Sequence, residues 1–246
     1  MVNVKRAKII FRTNFLILIE VGYFLWLFFT GEGGESCLVC ELCDAVDILT
    51  SADSHFFYAE KAIRFGKHVF IDKPISNNLE EAKRLAELVR EAGVKFQIGH
   101  IERFNPAFLA LKSFEINPIL IEAHRLSVFD PKRVSDSIIF DVLIHDIDIA
   151  LWLVGSPVAQ IDANGVAILT DTPDIANARI RFDNGCVANL TASRITQKPM
   201  RKMRVFQRDA YISMDFANGD VEVFRLADEE QADGQGITGI PAIMLG

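Results

Sequence analysis

The stretch CDAVDILTSADSHFFYAEKAIRFGKHVFIDKP, residues 43–74, decides the fold. It opens with the apolar run CDAVDILT, residues 43–50, which predicts a short buried strand. SHFFYAEKAIRFG, residues 54–66, then repeats apolar residues at helical spacing and stops at a glycine, which suits a helix end. KHVFID, residues 67–72, is a second strand, and Pro74 ends it because proline has no N–H to donate. The order strand, helix, strand predicts two parallel strands joined by a right-handed crossover.

The next segment extends the same pattern. NLEEAKRLAELVREAG predicts a helix with Asn78 as its N-cap, Glu81 completing a capping box, and Gly93 ending it. KFQIGH, residues 95–100, is a third apolar strand. Three continuous apolar strands alternating with helices are typical of a parallel sheet that is covered on both faces.

Polar residues follow two of these strands directly. Thr50 ends the first strand, and the second runs into Asp72, Lys73 and Pro74. Proline biases its predecessor away from the helical region, so Lys73 is expected to be extended at the strand end. Parallel sheets bind ligands at the carboxyl ends of their strands. Thr50 and Lys73 are therefore expected at a binding edge.

The pattern changes after residue 103, where strands begin to follow one another. A helix (105–114), a strand (118–127) and one long helix (135–155) come first. The strands that follow are predicted at 177–182, 186–195, 203–208, 210–216 and 221–226. The sequences DNG at 183–185 and NG at 218–219 are strong signals for hairpin turns. The chain is therefore predicted to be α/β, with a parallel-sheet domain at 1–102 and an α+β domain with a largely antiparallel sheet at 103–246.

Composition and charge favour a soluble globular protein that does not bind nucleic acid. The chain of 246 residues is 50% apolar and 24% charged, with a formal net charge of -7. Cys37, Cys40 and Cys43 form a CxxCxxC run while Cys186 stands alone, which argues against a secreted disulfide framework. An iron–sulfur cluster usually needs a fourth ligand, so we predict no metal, and we predict a cytoplasmic location.

Residues 15–29 are almost wholly apolar and follow a basic segment. A signal or membrane anchor, a buried strand and a replaced beginning are all compatible with this run. It is shorter than the roughly 20 apolar residues of a spanning helix, and no small-residue cleavage site follows. We predict that the chain does not enter a membrane.

The long predicted helix carries an acid and a histidine one turn apart. Asp141 and His145 are separated by four positions, so they share a face that continues to Asp148. A carboxylate at this distance fixes the tautomer of an imidazole and stabilises its charged form, which suits it to accept and return a proton. Such a pair is also common on helix surfaces. The apolar surroundings favour partial burial here.

Three segments together resemble the Gfo/Idh/MocA family of NAD(P)-dependent oxidoreductases: residues 43–74, GHIERFNP at 99–106, and FDVLIHDIDIAL at 140–151. The strand-end signature of that family is Glu-Lys-Pro, and its helix signature is Asp-x-x-x-His. The resemblance implies an incomplete Rossmann-like domain followed by the α+β domain, and hydride transfer between a sugar carbinol and NAD or NADP. It implies that Lys73 binds the substrate hydroxyl, that His145 is the acid/base, and that Asp141 orients it.

The resemblance also implies further contacts. Thr50, His55, Asp72, Lys73 and Pro74 are expected to line the cofactor side, although a strand-end hydroxyl and a helix-start histidine are also ordinary structural residues. GHIERFNP is most similar to members that act on nucleotide-sugars. The implied partners are a small-molecule sugar or nucleotide-sugar and further copies of the chain, as a homodimer or homotetramer.

The same likeness implies that Arg103 and Asn105 reach the substrate or the cofactor. Arg125, on the strand that follows, is a further candidate for a phosphate or carboxylate contact. An arginine there is equally suited to pair with a local carboxylate.

The chain departs from the family at its beginning. The family opens with a strand, a GxGxxG turn and a helix, which place a pyrophosphate at the helix N-terminus. Here the nearest match is GEGGES at 31–36, too close to the next strand for a helix and a second strand between them. The first domain is therefore predicted to be truncated. The alternatives are a non-catalytic homologue that keeps the sugar pocket without the cofactor, and a membrane-anchored interaction protein.

Overall fold

A computed structural model describes residues 26–29, 44–133 and 137–225. The chain divides into two compact units, residues 1–99 and 100–246. The sequence prediction places the boundary three residues later, after residue 102. The glycine-rich sequence at 31–36, the three clustered cysteines and most of the apolar run 15–29 lie outside the described residues.

The first unit contains a parallel sheet of four strands in the order β1-β2-β3-β4. Its elements are β1 (Trp26–Phe29), β2 (Ala45–Ile48), α1 (Ala52–Arg64), β3 (His68–Ile71), α2 (Leu79–Ala92) and β4 (Phe96–Ile98). The three predicted strands are confirmed, each shorter than its apolar run. The prediction that this part is a parallel α/β sheet is therefore correct.

One face of this sheet packs against the two helices. Val46, Ile48, Val69 and Ile71 are buried together with apolar side chains of α1 and α2. Successive side chains of a strand point to opposite faces, so Asp47 lies on the other face. Every strand–helix–strand step thus buries one apolar side of the sheet and leaves the polar strand ends at one edge.

Helix α2 begins where the sequence predicts, but Glu81 does not complete a capping box. The side chain of Asn78 accepts a hydrogen bond from the backbone N–H of Glu80 at 2.8 Å, as an N-cap does. The backbone N–H of Asn78 donates to the Ser76 hydroxyl oxygen at 3.0 Å, and that hydroxyl donates to Glu81. The second half of the predicted capping box is therefore wrong, because the buried Ser76 lies between the two groups.

The second unit is built on a sheet of seven strands in the order β11-β10-β9-β5-β8-β7-β6. The strands are β5 (Leu120–Leu126), β6 (Val158–Val166), β7 (Ile175–Phe182), β8 (Val187–Ser193), β9 (Met200–Phe206), β10 (Ala210–Asp215) and β11 (Asp220–Arg225). All neighbours are antiparallel except β5 and β8. The largely antiparallel sheet is confirmed.

Both predicted hairpin turns are present, but β6 has no counterpart in the sequence prediction. Gly185 and Gly219 adopt φ values of 87° and 80°, which glycine reaches without steric cost. Strand β6 lies at the edge of the sheet, and all nine of its residues are exposed. An exposed strand needs no alternation of apolar and polar residues, so the pattern that identifies the other strands is missing from it.

The helices of the second unit are more irregular than predicted. In place of one helix at 105–114, the chain forms a 3₁₀ turn (Ile101–Phe104), the short helix α3 (Pro106–Leu109) and a second 3₁₀ turn (Ala110–Ser113). A π-helical turn, Ile139–Leu143, precedes α4 (Ile144–Val154) in the predicted long helix. Such turns are frequent at functional sites. The inner sheet face packs with α4 in one core. Among the described residues, no helix has the length and apolar character needed to cross a membrane.

Candidate active site

The carboxyl edge of the parallel sheet carries the predicted strand-end lysine. The backbone N–H of Asp72 donates to the carbonyl of Ile48 at 3.0 Å, so the ladder between β2 and β3 continues to this point. Directly after it the backbone N–H of Lys73 donates to Oδ1 of Asp72 at 2.8 Å. The Lys73–Pro74 peptide is cis, and the Lys73 side chain is half-buried. The geometry thus fixes the backbone from which the predicted catalytic ammonium group extends.

Gly99 lies where two strand ends come close together. Gly99 follows β4, and its N–H donates to the carbonyl of Ile71 at 2.7 Å. A Cβ on Gly99 would lie 3.2 Å from Cζ of Phe70 and 3.3 Å from Oδ1 of Asp72. Any larger residue would therefore displace the side chain of Asp72, which holds the N–H of the next residue.

His55 lies on the first turns of α1 and is 1% exposed. Its Nδ1 is 2.7 Å from the carbonyl oxygen of Pro74, and its Nε2 is 3.0 Å from the carbonyl oxygen of Thr50. Thr50 itself accepts a hydrogen bond from the Ser54 hydroxyl at 2.7 Å. The structure therefore brings three of the predicted cofactor-side residues, Thr50, His55 and Pro74, into direct contact.

An unpredicted carboxylate lies beside this edge. Asp47 of β2 is next to Phe70 in the sheet register. Burial, together with the negative charge of Asp72, raises the pKa of Asp47 to about 6. Its Oδ1 is buried and has no hydrogen-bond partner within the part of the chain that the structure describes. The sequence signal was an aspartate inside an apolar strand.

In the second unit, Asp141 lies in the π-helical turn and His145 in the first turn of α4. Both side chains are half-buried, as the apolar surroundings predict. The backbone N–H of Asp141 donates to the carbonyl of Ser137 at 2.8 Å. The convergence of this pair with Lys73 on one substrate stays a prediction.

Arg103 binds a carboxylate one turn away from His145. Its Nε donates to Oδ2 of Asp148 at 2.7 Å, and its Nη2 donates to Oδ1 at 2.5 Å. The hydrogen bond with Asp148 raises the pKa of Arg103, although burial opposes this. The Arg103 side chain is 42% exposed, and its Nη1 is not used by Asp148. Arg103 thus combines a fixed orientation with an accessible surface.

His100 belongs to the same group and was missed by the sequence interpretation. Its Nε2 lies 3.7 Å from Oδ1 of Asp148. Burial lowers the pKa of His100; the charge of Asp148 opposes this effect and that of Arg103 reinforces it. Its Nδ1 is buried and finds no hydrogen-bond partner among residues 44–133 and 137–225. The available signal was a histidine two positions beyond an apolar strand.

Arg125 is 5% exposed and occupied by internal carboxylates. Its Nε and Nη2 donate to Oδ1 of Asp146 at 3.1 and 2.7 Å, and its Nη1 donates to Glu102 at 2.8 Å. Burial disfavours the charge of Arg125, but the two carboxylates outweigh this and raise its pKa. Burial also raises the pKa of Asp146, against the effect of Arg125. These contacts favour the local ion pair that the sequence left as the alternative to substrate binding.

Asn105 is joined to the same buried group. Its Nδ2 donates to Oε2 of Glu102 and to the carbonyl of Phe216, both at 3.0 Å. Its Oδ1 accepts from the backbone N–H of Ala107 at 3.1 Å, which caps α3. The structure therefore brings Asn105 and Arg125 together through Glu102. Their predicted contact with substrate is not tested by this arrangement.

The described residues contain no group of three or more histidine, cysteine or acidic side chains arranged to hold a metal ion. Cys186 is buried in the second unit. The predicted absence of a metal centre stays a prediction for the whole chain, because the cysteine cluster at 37–43 is not described.

Two family models match consecutive parts of the chain. Residues 35–100 match the oxidoreductase family with an NAD-binding Rossmann fold, GFO/IDH/MocA, and residues 98–213 match the C-terminal domain of that family. UDP-N-acetylglucosamine 3-dehydrogenase from Acidithiobacillus ferrooxidans is 40% identical over 182 residues, which are 74% of this chain and 58% of that protein. The chain thus spans less than two thirds of the length of this relative.

Two further comparisons support the assignment. A solved structure of UDP-N-acetylglucosamine 3-dehydrogenase from A. ferrooxidans superimposes with a TM-score of 0.79 at 35% identity, covering 88% of this chain and 68% of that one. The scyllo-inositol 2-dehydrogenase (NAD(+)) of Bacillus subtilis is 34% identical over 61% of this chain and 48% of that protein. The motif resemblance found in the sequence is confirmed, and the chain belongs to the GFO/IDH/MocA family of oxidoreductases with an NAD-binding Rossmann fold.

Proposed function

We propose that this chain is an NAD(P)-dependent dehydrogenase that oxidises a secondary alcohol of a sugar or nucleotide-sugar. The observation that carries the proposal is the 40% identity to a UDP-N-acetylglucosamine 3-dehydrogenase over 182 residues of this chain, a stretch that contains Lys73, Asp141 and His145. UDP-N-acetylglucosamine is therefore the first substrate to test.

The chemistry assigns one role to each of these residues. Oxidation of the alcohol removes a hydride from carbon and a proton from oxygen, and leaves a carbonyl group. His145 accepts the proton from the hydroxyl oxygen, and Asp141 orients the imidazole for this transfer. Lys73 donates a hydrogen bond to the same oxygen and stabilises the negative charge that develops there. Proton transfer and charge stabilisation each contribute about 10²-fold or more to the rate.

The residues at the carboxyl edge of the parallel sheet fit a dinucleotide. Thr50, Asp72, Lys73 and Pro74 follow strands β2 and β3 there, where open α/β sheets bind such ligands. NAD or NADP, when bound, takes up the hydride. The choice between the two cofactors depends on a residue at the ribose 2′ position, which the sequence does not identify, so a binding measurement decides it.

Arg103 is the best-supported of the predicted substrate residues. Asp148 fixes its Nε and Nη2, which leaves Nη1 of a partly exposed guanidinium to bind a phosphate or hydroxyl group. Asn105 and Arg125 support the segment around Arg103 from inside, since both bind Glu102, the preceding residue.

A homo-oligomer is proposed as the assembled form. Phe206, Tyr211 and Phe224 form an aromatic row on the outer face of the seven-stranded sheet, with ring centroids 5.1 and 5.7 Å apart. Phe224 is 38% exposed while Phe206 and Tyr211 are half-buried, and a partly exposed aromatic row suits a contact between copies. Light scattering after gel filtration tests this: a mass of two or four chains supports it, and a mass of one chain contradicts it.

The activity is tested by following nicotinamide reduction at 340 nm with UDP-N-acetylglucosamine and either NAD or NADP. Lys73→Ala and His145→Ala are expected to lower kcat by about 10²-fold or more while the fold is retained. Lys67→Ala and His124→Ala are matched controls: Lys67 is a half-buried lysine before the other end of β3, and His124 is a half-buried histidine on β5.

Two outcomes contradict the proposal in different ways. Full activity in both site variants would exclude Lys73 and His145 as the reacting groups. Failure of either cofactor to bind at millimolar concentration would favour the non-catalytic homologue that binds sugar alone.

A further inference from the structure

His55 is tied to the backbone at the ends of two neighbouring strands. It is 1% exposed, and its ring bridges the carbonyl of Pro74, at 2.7 Å from Nδ1, and the carbonyl of Thr50, at 3.0 Å from Nε2. Pro74 follows β3 and Thr50 follows β2. Both ring nitrogens therefore face backbone oxygens of the segments that carry the candidate cofactor and substrate residues.

The chemistry of these contacts makes the ring a donor. A carbonyl oxygen only accepts hydrogen bonds, and a neutral imidazole carries one N–H. The shorter of the two distances assigns a hydrogen bond to Nδ1 and the carbonyl of Pro74, and Nε2 lies within hydrogen-bond distance of the carbonyl of Thr50. A ring buried in this way has no exposed edge with which to contact a ligand.

We propose that His55 is a positioning residue that acts through Lys73 and does not contact the cofactor. By holding the carbonyl of Pro74, His55 fixes the backbone segment that contains Lys73, the residue before Pro74. Asp72 fixes the same segment from the other side, through the N–H of Lys73 at 2.8 Å. This inference rests on the proposed function for its kinetic consequence, but its structural content is independent of activity.

The size of the kinetic effect follows from the sensitivity of catalysis to distance. A misplacement of a reacting group by about 1 Å can lower the rate by about 10²-fold. Release of Pro74 lets the Lys73 backbone move while α1 stays attached to the sheet through its apolar side chains. The expected loss is therefore in kcat, with the KM for the cofactor nearly unchanged.

Three variants separate the two contacts of the ring. His55→Asn places an amide donor near the position of Nδ1 and keeps the bond to Pro74. His55→Gln extends the donor to the position of Nε2 and keeps only the contact with Thr50, and His55→Leu keeps neither. His68→Leu is the control, because His68 is a half-buried histidine at the amino end of β3 whose Nδ1 also bonds backbone, the N–H of Lys95 at 3.0 Å.

The first measurement needs no catalysis. Mass spectrometry follows the rate at which an amine-reactive reagent labels Lys73 in the full chain, and this rate is divided by the labelling rate of Lys67. We expect His55→Gln and His55→Leu to change this ratio at least about threefold, because ordering of the Lys73 segment is lost, and His55→Asn to stay within about twofold. The control is expected to leave the ratio unchanged. If His55→Leu does not fold, the comparison of Asn with Gln still decides the question. Equal ratios in Asn, Gln and wild type would overturn the inference.

The second measurement is the split between kcat and the cofactor KM. A fall in kcat of about tenfold or more in His55→Gln, with a cofactor KM within about twofold of wild type, supports positioning. A raised cofactor KM with unchanged kcat would show direct contact with the cofactor and overturn it. If the wild-type chain shows no turnover, the proposed function fails, and the labelling ratio alone decides the role of His55.

Discussion

Replacement of Asp47 by asparagine is expected to stabilise the protein in a manner that depends on pH. Asp47 lies in β2, on the face opposite the packed helices, and its Oδ1 is buried without a hydrogen-bond partner among the described residues. Burial and the charge of Asp72 raise its pKa from the ordinary 3.8 to about 6. A carboxyl group whose pKa is raised by folding costs stability at pH values above its unfolded-state pKa, because the unfolded chain then ionises more readily than the folded one.

The sign and size follow from linkage. Below pH 3.8 the group is protonated in both states and costs nothing. Between pH 3.8 and about 6 the unfolded chain ionises while the folded one keeps its proton, so stability falls as pH rises. The full difference corresponds to about 3 kcal/mol at about 1.4 kcal/mol per pH unit. The carboxyl group keeps partial contact with water, which screens its charge, so we expect about 1–2 kcal/mol above pH 7.

Urea unfolding followed by circular dichroism at pH 4, 6 and 8 measures this effect. Asp47→Asn is expected to match wild type at pH 4 and to be more stable by about 1–2 kcal/mol at pH 8. Asp44→Asn is the control, because Asp44 is an exposed carboxylate just before the same strand. A stability difference that is the same at all three pH values would refute the reasoning, since it would show that the charge of Asp47 carries no cost.

Three further changes test the contacts around the candidate site. Arg125→Met leaves Glu102 and Asp146 buried without their cation, and is expected to lower the free energy of unfolding by about 3–5 kcal/mol in urea. Gly99→Ala forces the side chains of Phe70 and Asp72 to move by a few tenths of an ångström. It is expected to lower kcat at least about twofold while the cofactor KM stays within about twofold, and an unchanged kcat would show that this contact does not position Lys73. Asp174 is buried and accepts three backbone N–H bonds, which outweigh the effect of burial and lower its pKa to about 2. Asp174→Asn is therefore expected to speed amide exchange in the 168–170 turn at pH 7. Unchanged exchange would show that other contacts hold the turn.

The sequence predicts the first unit well because its strands are buried on a regular pattern. Continuous apolar runs at β2 and β3 and the capped helix α2 follow local rules, and these rules agree with the tertiary packing. The helix predicted at 105–114 fails for the opposite reason. Phe108 and Leu111 are buried three positions apart, a spacing that the tighter 3₁₀ turn also satisfies, and Asn105 starts a new short helix between two such turns.

The candidate site was only partly predictable because its ion pairs join distant parts of the chain. Spacing alone predicts that Asp141 and His145 share one helix face, and the structure places Asp141 in a π-helical turn and His145 in the α-helix that follows it. Nothing local shows that Arg125 binds Asp146, 21 positions away, or that Arg103 binds Asp148, 45 positions away. An arginine predicted to reach a substrate therefore turns out to be enclosed by internal carboxylates.

These two ion pairs together limit the rotation of α4, the helix that carries His145. Successive residues of an α-helix are rotated by about 100°, so Asp146 and Asp148 point to nearly opposite sides of α4, with His145 closer to Asp148. Arg125 binds Asp146 on one side, and Arg103 binds Asp148 on the other. A rotation of α4 would break at least one of these pairs, and the buried Asp146 makes such a break costly. The helix that carries His145 is thus fixed about its own axis by two ion pairs on nearly opposite sides.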